Sequence, residues 1–413
     1  MSEIALPSSR PGTTLNPMRY PARVRWLLRV LDRVRHGSIS VRFPDGQQAT
    51  FGAGSPRADI TLANWNVLEA ALSSGDIGVA ETYFAGDWSS SDLVRLLAFF
   101  VRNRAAAEQL IYGNSLGRLW YRVRHLLHRN TRGQAKKNIQ AHYDLGNDFY
   151  ALWLDESMTY SSALFEEAGD PHAPATEREL RAAQHAKYAR VLDQLALPPG
   201  SNVLEIGCGW GGFAHTAALA GHRVTGLTLS PAQLSFAREQ LSRDGLDADL
   251  RLQDYRDECG RYDGIASIEM FEAVGEAYWP AYFDALKRCL APDGRACVQT
   301  IEIADALFER YRRGTDFIQQ YVFPGGMLPS PGAFAAQAQR AGLRIVQARS
   351  FGRSYARTLA TWRARFLAQQ KAVRALGFDE RFLRMWEMYL AYCEAAFAEG
   401  NTDVTQYTLV HAR

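Results

Sequence analysis

The stretch Val203-Leu204-Glu205-Ile206-Gly207-Cys208-Gly209-Trp210-Gly211-Gly212 passes from a short apolar run into a cluster of glycines. The apolar run Val203–Ile206 predicts a buried strand, and the residues after the glycines predict a helix. Glycine is needed in such a turn because the backbone bends sharply and approaches a ligand with no Cβ in the way. Glu205 opens the pattern E-x-G-x-G-x-G, which favours a nucleotide-type binding turn over an ordinary strand-to-helix connection.

Strands and helices alternate from about Lys137 onward, which is typical of a doubly wound sheet. Four more strands are predicted, at Val224–Thr228, Asp249–Gln253, Gly264–Ile268 and Arg295–Thr300. Helices are predicted at Phe213–Ala220, Pro231–Ser242 and Tyr278–Leu290, the last closed by Ala291-Pro292-Asp293-Gly294. Two late strands, Leu343–Phe351 and Val404–His411, flank the helical region Arg357–Gly400 and are expected to be antiparallel edge strands. The predicted fold class is therefore α/β, with a Rossmann-like sheet.

The residues before this sheet follow another pattern. Residues 1–20 are rich in Ser, Pro and Thr and predict a flexible tail. Residues 21–104 predict a smaller N-terminal α+β domain, with a hairpin at Gly37–Gly52 and helices at Leu62–Leu72 and Ser91–Arg102. A basic helical linker is expected at residues 105–136, and residues 137–413 are expected to form the sheet domain.

Composition restricts the class of protein. The chain has 413 residues, of which 47% are hydrophobic and 22% charged, so it is expected to be globular with two or more domains. Its five cysteines are scattered without C-x-x-C spacing, so neither a disulfide framework nor a metal site is expected. The sequence shows no signal-peptide pattern and no apolar run near the ~20 residues that cross a bilayer. We therefore expect a cytoplasmic protein that is not integral.

The basic charge is concentrated near the N-terminus. Up to and including Lys137 there are 19 basic and 10 acidic residues, a net charge of +9, and the remainder carries −6. Basic and apolar residues interleave in Arg19–His36 and in Arg118–Lys137, which predicts basic amphipathic helices. Such helices suit an anionic membrane surface, with a solvated helix face as an equal alternative. Nucleic acid is a weaker explanation, because no recognised nucleic-acid module accompanies the charge.

The glycine turn resembles motif I of the class I S-adenosylmethionine methyltransferases, and differs from the G-x-G-x-x-G pattern of nicotinamide enzymes. This resemblance implies that S-adenosylmethionine is the ligand. The second strand ends without the carboxylate that many such enzymes use for the ribose, so Thr228 and Gln233 are expected to bond its hydroxyls. Gln253-Asp254-Tyr255 follows the third strand, where Asp254 is expected to reach the adenine amino group. Tyr255 is equally well explained as a core residue.

Four segments together resemble the cyclopropane fatty acid synthase family, which includes the mycolic acid cyclopropane synthases. They are the glycine turn, His142-Tyr143-Asp144-Leu145-Gly146-Asn147-Asp148-Phe149-Tyr150, Met158-Thr159-Tyr160-Ser161-Ser162-Ala163-Leu164-Phe165 and Met270-Phe271-Glu272-Ala273-Val274-Gly275. The resemblance extends over roughly Asn138–Arg413, and Glu81-Thr82-Tyr83-Phe84-Ala85-Gly86-Asp87-Trp88 is similar, less specifically, to the extra domain of the longer bacterial enzymes. It implies cofactor contacts from Tyr160, Ser161, Gly207, Gly209, Thr228 and Gln233.

The same resemblance implies a bicarbonate ion as the catalytic base, held by a glutamate, a histidine, a tyrosine and backbone N–H groups. Glu272 matches the glutamate and Tyr355 the tyrosine, and the backbone donors match Ser162 and Ile301. The family's common cysteine is Ser162 here, and its histidine falls on Gln299. Glutamine can hydrogen-bond an anion, but it carries no positive charge and does not titrate near neutrality.

The chemistry of the family explains why such a base is required. An isolated cis alkene is a weak nucleophile that reacts only with a strong electrophile, such as a sulfonium methyl group. The reaction leaves a carbocation, which needs a dry pocket and a base that removes a proton. Apolar and aromatic residues of Phe317–Met327 are candidates for lining an acyl tunnel, although an ordinary core explains each of them equally well.

The expected function is one-carbon transfer to the cis double bond of an unsaturated phospholipid acyl chain, giving a cyclopropane at the inner membrane face. The close alternative is a methyl- or methylene-branched acyl chain, which Gln299 keeps open. More distant alternatives are a methyltransferase for oxygen or nitrogen nucleophiles and a lipid-binding protein with a degenerate catalytic domain. The glycine motif and Glu272 argue against degeneracy. The sequence does not determine the lipid head group or the position of the double bond. It also leaves the oligomeric state open, with a homodimer as one alternative.

Overall fold

The computed structural model of the protein describes residues 22–104 and 145–412. The chain divides into two compact units, Met1–Gly117 and Arg118–Arg413. The predicted tail and the predicted basic linker lie outside the described residues. The basic pattern Arg118–Lys137 and residues 142–144 of the family segment His142–Tyr150 lie outside them too. The domain bounds given above therefore stay a prediction.

The N-terminal unit is a small α+β fold, as expected. Its elements are α1 (Ala22–Leu31), β1 (Gly37–Arg42), β2 (Gln48–Ala53), β3 (Arg57–Leu62), α2 (Asn66–Ser74), α3 (Asp76–Ala85), β4 (Trp88–Ser89) and α4 (Leu93–Arg102). The predicted hairpin is β1 and β2, which pair antiparallel with Ile39 opposite Phe51. The helix predicted from Leu62 begins later, because Leu62 ends strand β3 with its side chain buried in the sheet.

Helix α1 carries the first of the two basic amphipathic patterns. The apolar side chains of α1 that the structure describes are at most 8% exposed, namely Val24, Leu27, Leu28, Val30 and Leu31. Because this face is buried in the folded chain, it is not available for insertion into lipid. Of the basic side chains of α1 that the structure describes, Arg25 is half-buried and Arg29 is exposed. Among the described residues, no helix has both the length and the apolar character that crossing a bilayer requires.

The second unit has the predicted Rossmann-like sheet. Its seven strands are β5 (Asn202–Ile206), β6 (Arg223–Thr228), β7 (Asp249–Leu252), β8 (Tyr262–Ile268), β9 (Leu290–Ile303), β10 (Leu343–Ser350) and β11 (Thr402–His411). Their order is β10-β11-β9-β8-β5-β6-β7. Strands β5 to β9 pair in parallel, and β11 is antiparallel to both of its neighbours. The order of the strands changes direction at β5: β6 and β7 follow on one side of it, and β8 and β9 on the other. In open α/β sheets, ligands bind beside such a switch point.

Helices cover both faces of this sheet. Within the described part of this unit, the helices are α5 (Asn147–Ala151), α6 (Glu177–Leu195), α7 (Gly212–Leu219), α8 (Pro231–Arg243), α9 (Trp279–Cys289), α10 (Asp305–Arg313), α11 (Phe317–Tyr321), α12 (Pro331–Arg340), α13 (Gly352–Ala368), α14 (Gln370–Ala375) and α15 (Glu380–Ala398). One core layer joins Val203 of β5 to Val191 of α6 and Phe213 of α7. The other joins Leu204 of β5 to Phe283 of α9. Neighbouring residues of β5 thus face opposite cores, as the period of a strand requires.

The main local difference concerns Ala291–Gly294, the residues expected between helix α9, which ends at Cys289, and the strand predicted from Arg295. These residues lie inside the long strand β9, which starts at Leu290 opposite Tyr262. The register then shifts, so that Arg295 stands opposite Gly264. Pro292 lacks a backbone N–H, and a register irregularity is where a sheet accommodates that loss.

Candidate active site

The glycine turn connects β5 to α7 at the carboxyl end of β5. Gly207 and Gly209 have φ angles of +83° and +51°, a region that residues with a Cβ rarely adopt. A Cβ on Gly207 would lie 2.7 Å from Cγ of Met270, whereas a Cβ on Gly209 would meet no atom of the described residues within 4 Å. The turn is therefore closed by Met270 at one position and open at the other, where the backbone leaves room for a ligand.

The segment that precedes the sheet lies against this turn. The indole nitrogen of Trp210 donates to Oδ1 of Asn147 over 2.9 Å, and the Trp210 ring lies 5.2 Å from that of Tyr150. The ring of Tyr160 lies 5.4 Å from Tyr150, and the hydroxyls of Tyr160 and Tyr389 are 2.7 Å apart. Aromatic side chains from this segment therefore stand beside the glycine turn.

Thr228 and Gln233, the expected ribose contacts, lie together at the end of β6. The Thr228 hydroxyl donates to Oε1 of Gln233 over 3.2 Å, and both residues are buried. The backbone N–H of Gln253 donates to the carbonyl oxygen of Thr228 over 3.1 Å. The carboxyl ends of β6 and β7 are therefore joined by a hydrogen bond.

The side chains after β7 are held within their own segment. The amide nitrogen of Gln253 donates to Oε2 of Glu258 over 3.0 Å, and Nε of Arg256 donates to Oδ1 of Asp254 over 2.8 Å. Tyr255 packs edge-on against the ring of a core tyrosine, with ring centroids 5.7 Å apart. An adenine contact by Asp254 therefore requires this carboxylate to share its oxygens with Arg256.

Glu205, which opens the glycine motif, is 3% exposed. Its Oε2 has no hydrogen-bond partner among the described residues. Burial raises the pKa of Glu205 to about 8. An unpaired buried oxygen is costly unless a ligand donor reaches it, so this atom and the open face of Gly209 both fit a polar ligand such as S-adenosylmethionine.

A buried amine lies behind the Tyr160–Ser162 segment. Nζ of Lys187, a residue of α6 with 0% exposure, donates to the hydroxyl of Ser161 over 2.6 Å and to Oε1 of Gln184 over 2.8 Å. Burial lowers the pKa of Lys187 to about 7, against the opposing effect of nearby carboxylates, of which Glu269 is the strongest. The hydroxyl of Ser161 is thus bound to an amine that titrates near neutrality.

The carboxylate of Glu269 is the centre of a group of hydrogen bonds. Its Oε1 accepts from the backbone N–H of Ser162 over 2.8 Å and from the side-chain amide of Gln299 over 2.7 Å. Its Oε2 accepts from the hydroxyl of Tyr355 over 2.6 Å. We call these three donors the anion cradle. They come from three separate parts of the fold, namely the segment before α6, strand β9 and the first turn of α13.

Glu269 is placed for these bonds by its backbone. It follows the last residue of β8 with a φ of +50°, which is uncommon for a residue other than glycine. Its N–H donates to the carbonyl oxygen of Gln299 over 2.8 Å, and the amide of Gln406 on β11 donates to Oε1 of Gln299 over 3.0 Å. Because Gln406 binds that oxygen, the NH₂ group of Gln299 is directed towards Glu269.

Glu272 makes different contacts. It accepts from the backbone N–H of Ile301 and, over 3.1 Å, from the hydroxyl of Thr300. Its second oxygen has no partner among the described residues. Burial raises the pKa of Glu272 to about 8, and the negative charge of Glu269 acts in the same direction. Glu272 and Ile301 are thus together, but the other three expected bicarbonate ligands bind Glu269 instead.

A bicarbonate ion does not fit the cradle as this structure has it. The donors expected to hold the ion, Ser162, Gln299 and Tyr355, already bind a carboxylate that belongs to the chain. A second anion placed there would displace Glu269 and bring two negative charges into a largely buried site.

Sequence reasoning missed Glu269. The signal for it was present, because Glu269 directly follows the fourth predicted strand and lies three residues before Glu272. Side chains that follow parallel strands gather at one edge of the sheet. The resemblance directed attention to Glu272, and only the three-dimensional placement of Ser162 and Tyr355 reveals the other carboxylate.

The proposed tunnel residues are partly core. Phe317, Val322 and Met327 are buried, whereas Ile318, Tyr321 and Phe323 keep some exposure. The backbone N–H of Met327 donates to the carbonyl oxygen of Glu272 over 2.8 Å. The end of this segment is therefore attached to the loop that carries both carboxylates.

Comparisons with known proteins agree on one family. The family model described as mycolic acid cyclopropane synthetase matches residues 130–407. The chain is 40% identical over 385 residues to the tuberculostearic acid methyltransferase UfaA1 of Mycobacterium tuberculosis, covering 91% of this chain and 88% of that one. It is 34% identical over 360 residues to the cyclopropane-fatty-acyl-phospholipid synthase of Escherichia coli K12, covering 86% and 88%.

A solved structure gives the same result for the fold. The crystal structure of the mycolic acid cyclopropane synthase CmaA1 complexed with SAH and CTAB matches with a TM-score of 0.61 and 32% identity. The match covers 66% of this chain and 97% of that one. The family match, the glycine turn and the sheet order together lead to one conclusion: this chain is an S-adenosylmethionine-dependent methyltransferase that belongs to the mycolic acid cyclopropane synthetase family.

Proposed function

We propose that this enzyme adds a one-carbon unit to the cis double bond of an unsaturated acyl chain in membrane phospholipid, at the inner membrane face. The observation that carries this proposal is the hydrogen-bonded carboxylate of Glu269 beside the glycine turn. Met270, the residue after Glu269, would touch any Cβ on Gly207, so an anionic group stands next to the cofactor turn. A carboxylate there suits a reaction whose intermediate is positively charged.

Residues of the glycine turn, with Thr228 and Gln233, would hold S-adenosylmethionine, which supplies an electrophilic methyl group. The reaction would require a site with little water around the acyl chain. Tyr150 is 0% and Tyr355 6% exposed, and aromatic rings placed against the cation would stabilise its charge by cation–π attraction. The chain's residues therefore have to exclude water and accept one proton.

Two products follow from loss of different protons. A cyclopropane is the first candidate, because the matching family model and the Escherichia coli relative carry that activity in their names. A methyl- or methylene-branched chain is the second. Gln299 in the position of the family's histidine favours it, as does the 40% identity to a tuberculostearic acid methyltransferase.

Access to the substrate is proposed to depend on the charge of the N-terminal third. The net charge of +9 up to Lys137 would attract the enzyme to an anionic bilayer. Since the apolar face of α1 is buried, this attraction would be electrostatic rather than a result of lipid insertion by that helix.

Mass spectrometry of lipids tests the proposal. The purified enzyme is incubated with S-adenosylmethionine and vesicles of dioleoyl phosphatidylglycerol, with vesicles of saturated chains as the control. We expect a mass gain of one CH₂ only in the unsaturated lipid. Proton NMR of the released fatty acid then distinguishes a ring from a branch. Absence of any added carbon, with a folded enzyme that binds its cofactor, would exclude the proposed reaction.

A further inference from the structure

We propose that Glu269 is the catalytic base of this enzyme, and that it replaces the bicarbonate ion expected from the family resemblance. This inference rests on the proposed function, because it assigns one step of the same reaction.

The hydrogen bonds of Glu269 are those of a bound anion. Three donors converge on its two oxygens at 2.6 to 2.8 Å, and they are three of the four donors that the resemblance assigned to bicarbonate. A carboxylate and bicarbonate share a planar O–C–O unit, to which bicarbonate adds a third oxygen. The side chain of Glu269 therefore presents to these donors the group that the free ion would present.

A purely structural role explains the site less well. Glu269 keeps partial exposure, and its donors among the described residues are two neutral side chains and one backbone N–H, with no ion pair that would fix its charge. The charge of Lys187 acts on Glu269, but burial lowers the pKa of this amine to about 7. Burial also raises the pKa of Glu269 above its ordinary value, which makes its carboxylate a stronger base.

The position of Glu269 also favours contact with substrate. The next residue, Met270, closes the glycine turn at Gly207, and the residue before Ser162 is an expected cofactor contact. The positive φ of Glu269 is a conformation that residues keep mainly where the surroundings enforce it, often at functional sites.

The step itself balances without a further reactant. When the alkene has gained the new carbon, the acyl chain carries a positive charge. Glu269 accepts a proton from this cation as one C–H bond breaks. The electron pair of that bond closes a third C–C bond in a cyclopropane, or forms a new C=C bond in a branched product. Glu269 becomes a neutral carboxylic acid and releases its proton to solvent before the next turnover.

Bicarbonate dependence tests this assignment. Turnover on dioleoyl phosphatidylglycerol vesicles is measured in carbonate-depleted buffer, with and without added bicarbonate, for the wild type, Glu269→Gln and Glu269→Gly. Glu269→Gln keeps the shape but removes the basic group. Glu269→Gly empties the cradle at a φ that glycine adopts without strain. Glu276→Gln is the matched control, since Glu276 lies in the same loop but pairs with Arg312 at the surface.

We expect the wild type and Glu276→Gln to ignore bicarbonate, and Glu269→Gln to lose roughly 10²-fold or more in turnover under both conditions. Glu269→Gly should be equally slow without bicarbonate and recover with it. Calorimetric binding of S-adenosylmethionine shows which variants are folded. If Glu269→Gly fails to fold, the bicarbonate dependence of the wild type and the turnover of Glu269→Gln still test whether Glu269 is the base.

Product formation that requires bicarbonate in the wild type, or full activity of Glu269→Gln, would overturn the assignment while leaving the proposed function intact. A wild type that binds S-adenosylmethionine but adds no carbon to the lipid would overturn the function and the base together.

Discussion

The hydroxyl of Tyr355 donates a hydrogen bond to Oε2 of Glu269 over 2.6 Å, joining the first turn of α13 to the end of β8. A donor to a carboxylate favours its charged form and lowers its pKa. For Glu269 this effect opposes burial, which raises the pKa. Tyr355 therefore helps to set the pH at which Glu269 can accept a proton.

Removing this donor should shift the pH dependence of the reaction. In Tyr355→Phe the pKa of Glu269 rises, so the carboxylate form is present only at higher pH. We expect the rising limb of the kcat profile to move to higher pH, with the affinity for S-adenosylmethionine nearly unchanged. The control is Tyr262→Phe, which removes a hydroxyl bound to Glu258 at the opposite end of β8. An unshifted profile in a folded Tyr355→Phe enzyme would contradict this role.

Substitution of Gly209 should abolish cofactor binding. A side chain there fills the open space beside the turn and strains a φ of +51°. We expect Gly209→Val to show no binding of S-adenosylmethionine by calorimetry. Gly221→Val controls for strain, because Gly221 has a φ of +84° and open space but follows the far end of α7. Unchanged affinity in folded Gly209→Val would remove the cofactor site from this turn.

The stability of the enzyme should depend on pH through Glu302. Burial raises the pKa of Glu302 to about 7 from an ordinary 4.5. Between these two pH values the folded state holds a proton that the unfolded state has released. The stability that this proton contributes is complete below the pKa of the unfolded state and is lost as pH rises through the pKa of the folded state. The loss is on the order of a few kcal/mol.

Glu302→Gln should remove this part of the pH dependence. The amide oxygen of glutamine can still accept from the hydroxyl of Tyr407, which donates to Glu302 over 2.6 Å. We expect Tm to fall less between pH 5 and 8 in the variant than in the wild type, measured by scanning calorimetry. Parallel Tm curves would show that Glu302 is ionised in the folded protein.

Membrane binding should be electrostatic. The N-terminal third carries a net charge of +9 up to Lys137, and α1 buries its apolar face. We expect sedimentation with phosphatidylglycerol vesicles at low salt, weak sedimentation with phosphatidylcholine vesicles, and loss of binding as ionic strength rises. Binding that is equal for both lipids and insensitive to salt would contradict this prediction.

Much of the fold could be predicted from sequence because it rests on local patterns. The apolar run Val203–Ile206 and the glycines after it predict a strand and a turn, and the strand is observed at Asn202–Ile206. The strand predicted at Arg295–Thr300 begins earlier, at Leu290, because a register shift against β8 lets β9 include Ala291–Gly294. Local residue preferences do not contain information about a partner strand.

The site was less predictable, since its parts are distant in sequence. Ser162 and Tyr355 meet on Glu269 although 193 positions separate them in the chain. Both donate to Glu269 and not to Glu272, and Glu269 has a positive φ directly after β8. The resemblance drew attention to these donors, but the carboxylate that they bind in this structure was identified only from its three-dimensional placement.

A tethered carboxylate in the anion cradle has a consequence for how the enzyme responds to its surroundings. The occupancy of a site for a free ion rises and falls with the concentration of that ion. The carboxylate of Glu269 is joined to the chain through its own backbone, so its local concentration is constant. With Glu269 as the base, lipid modification would proceed at the same rate in cells rich or poor in carbon dioxide.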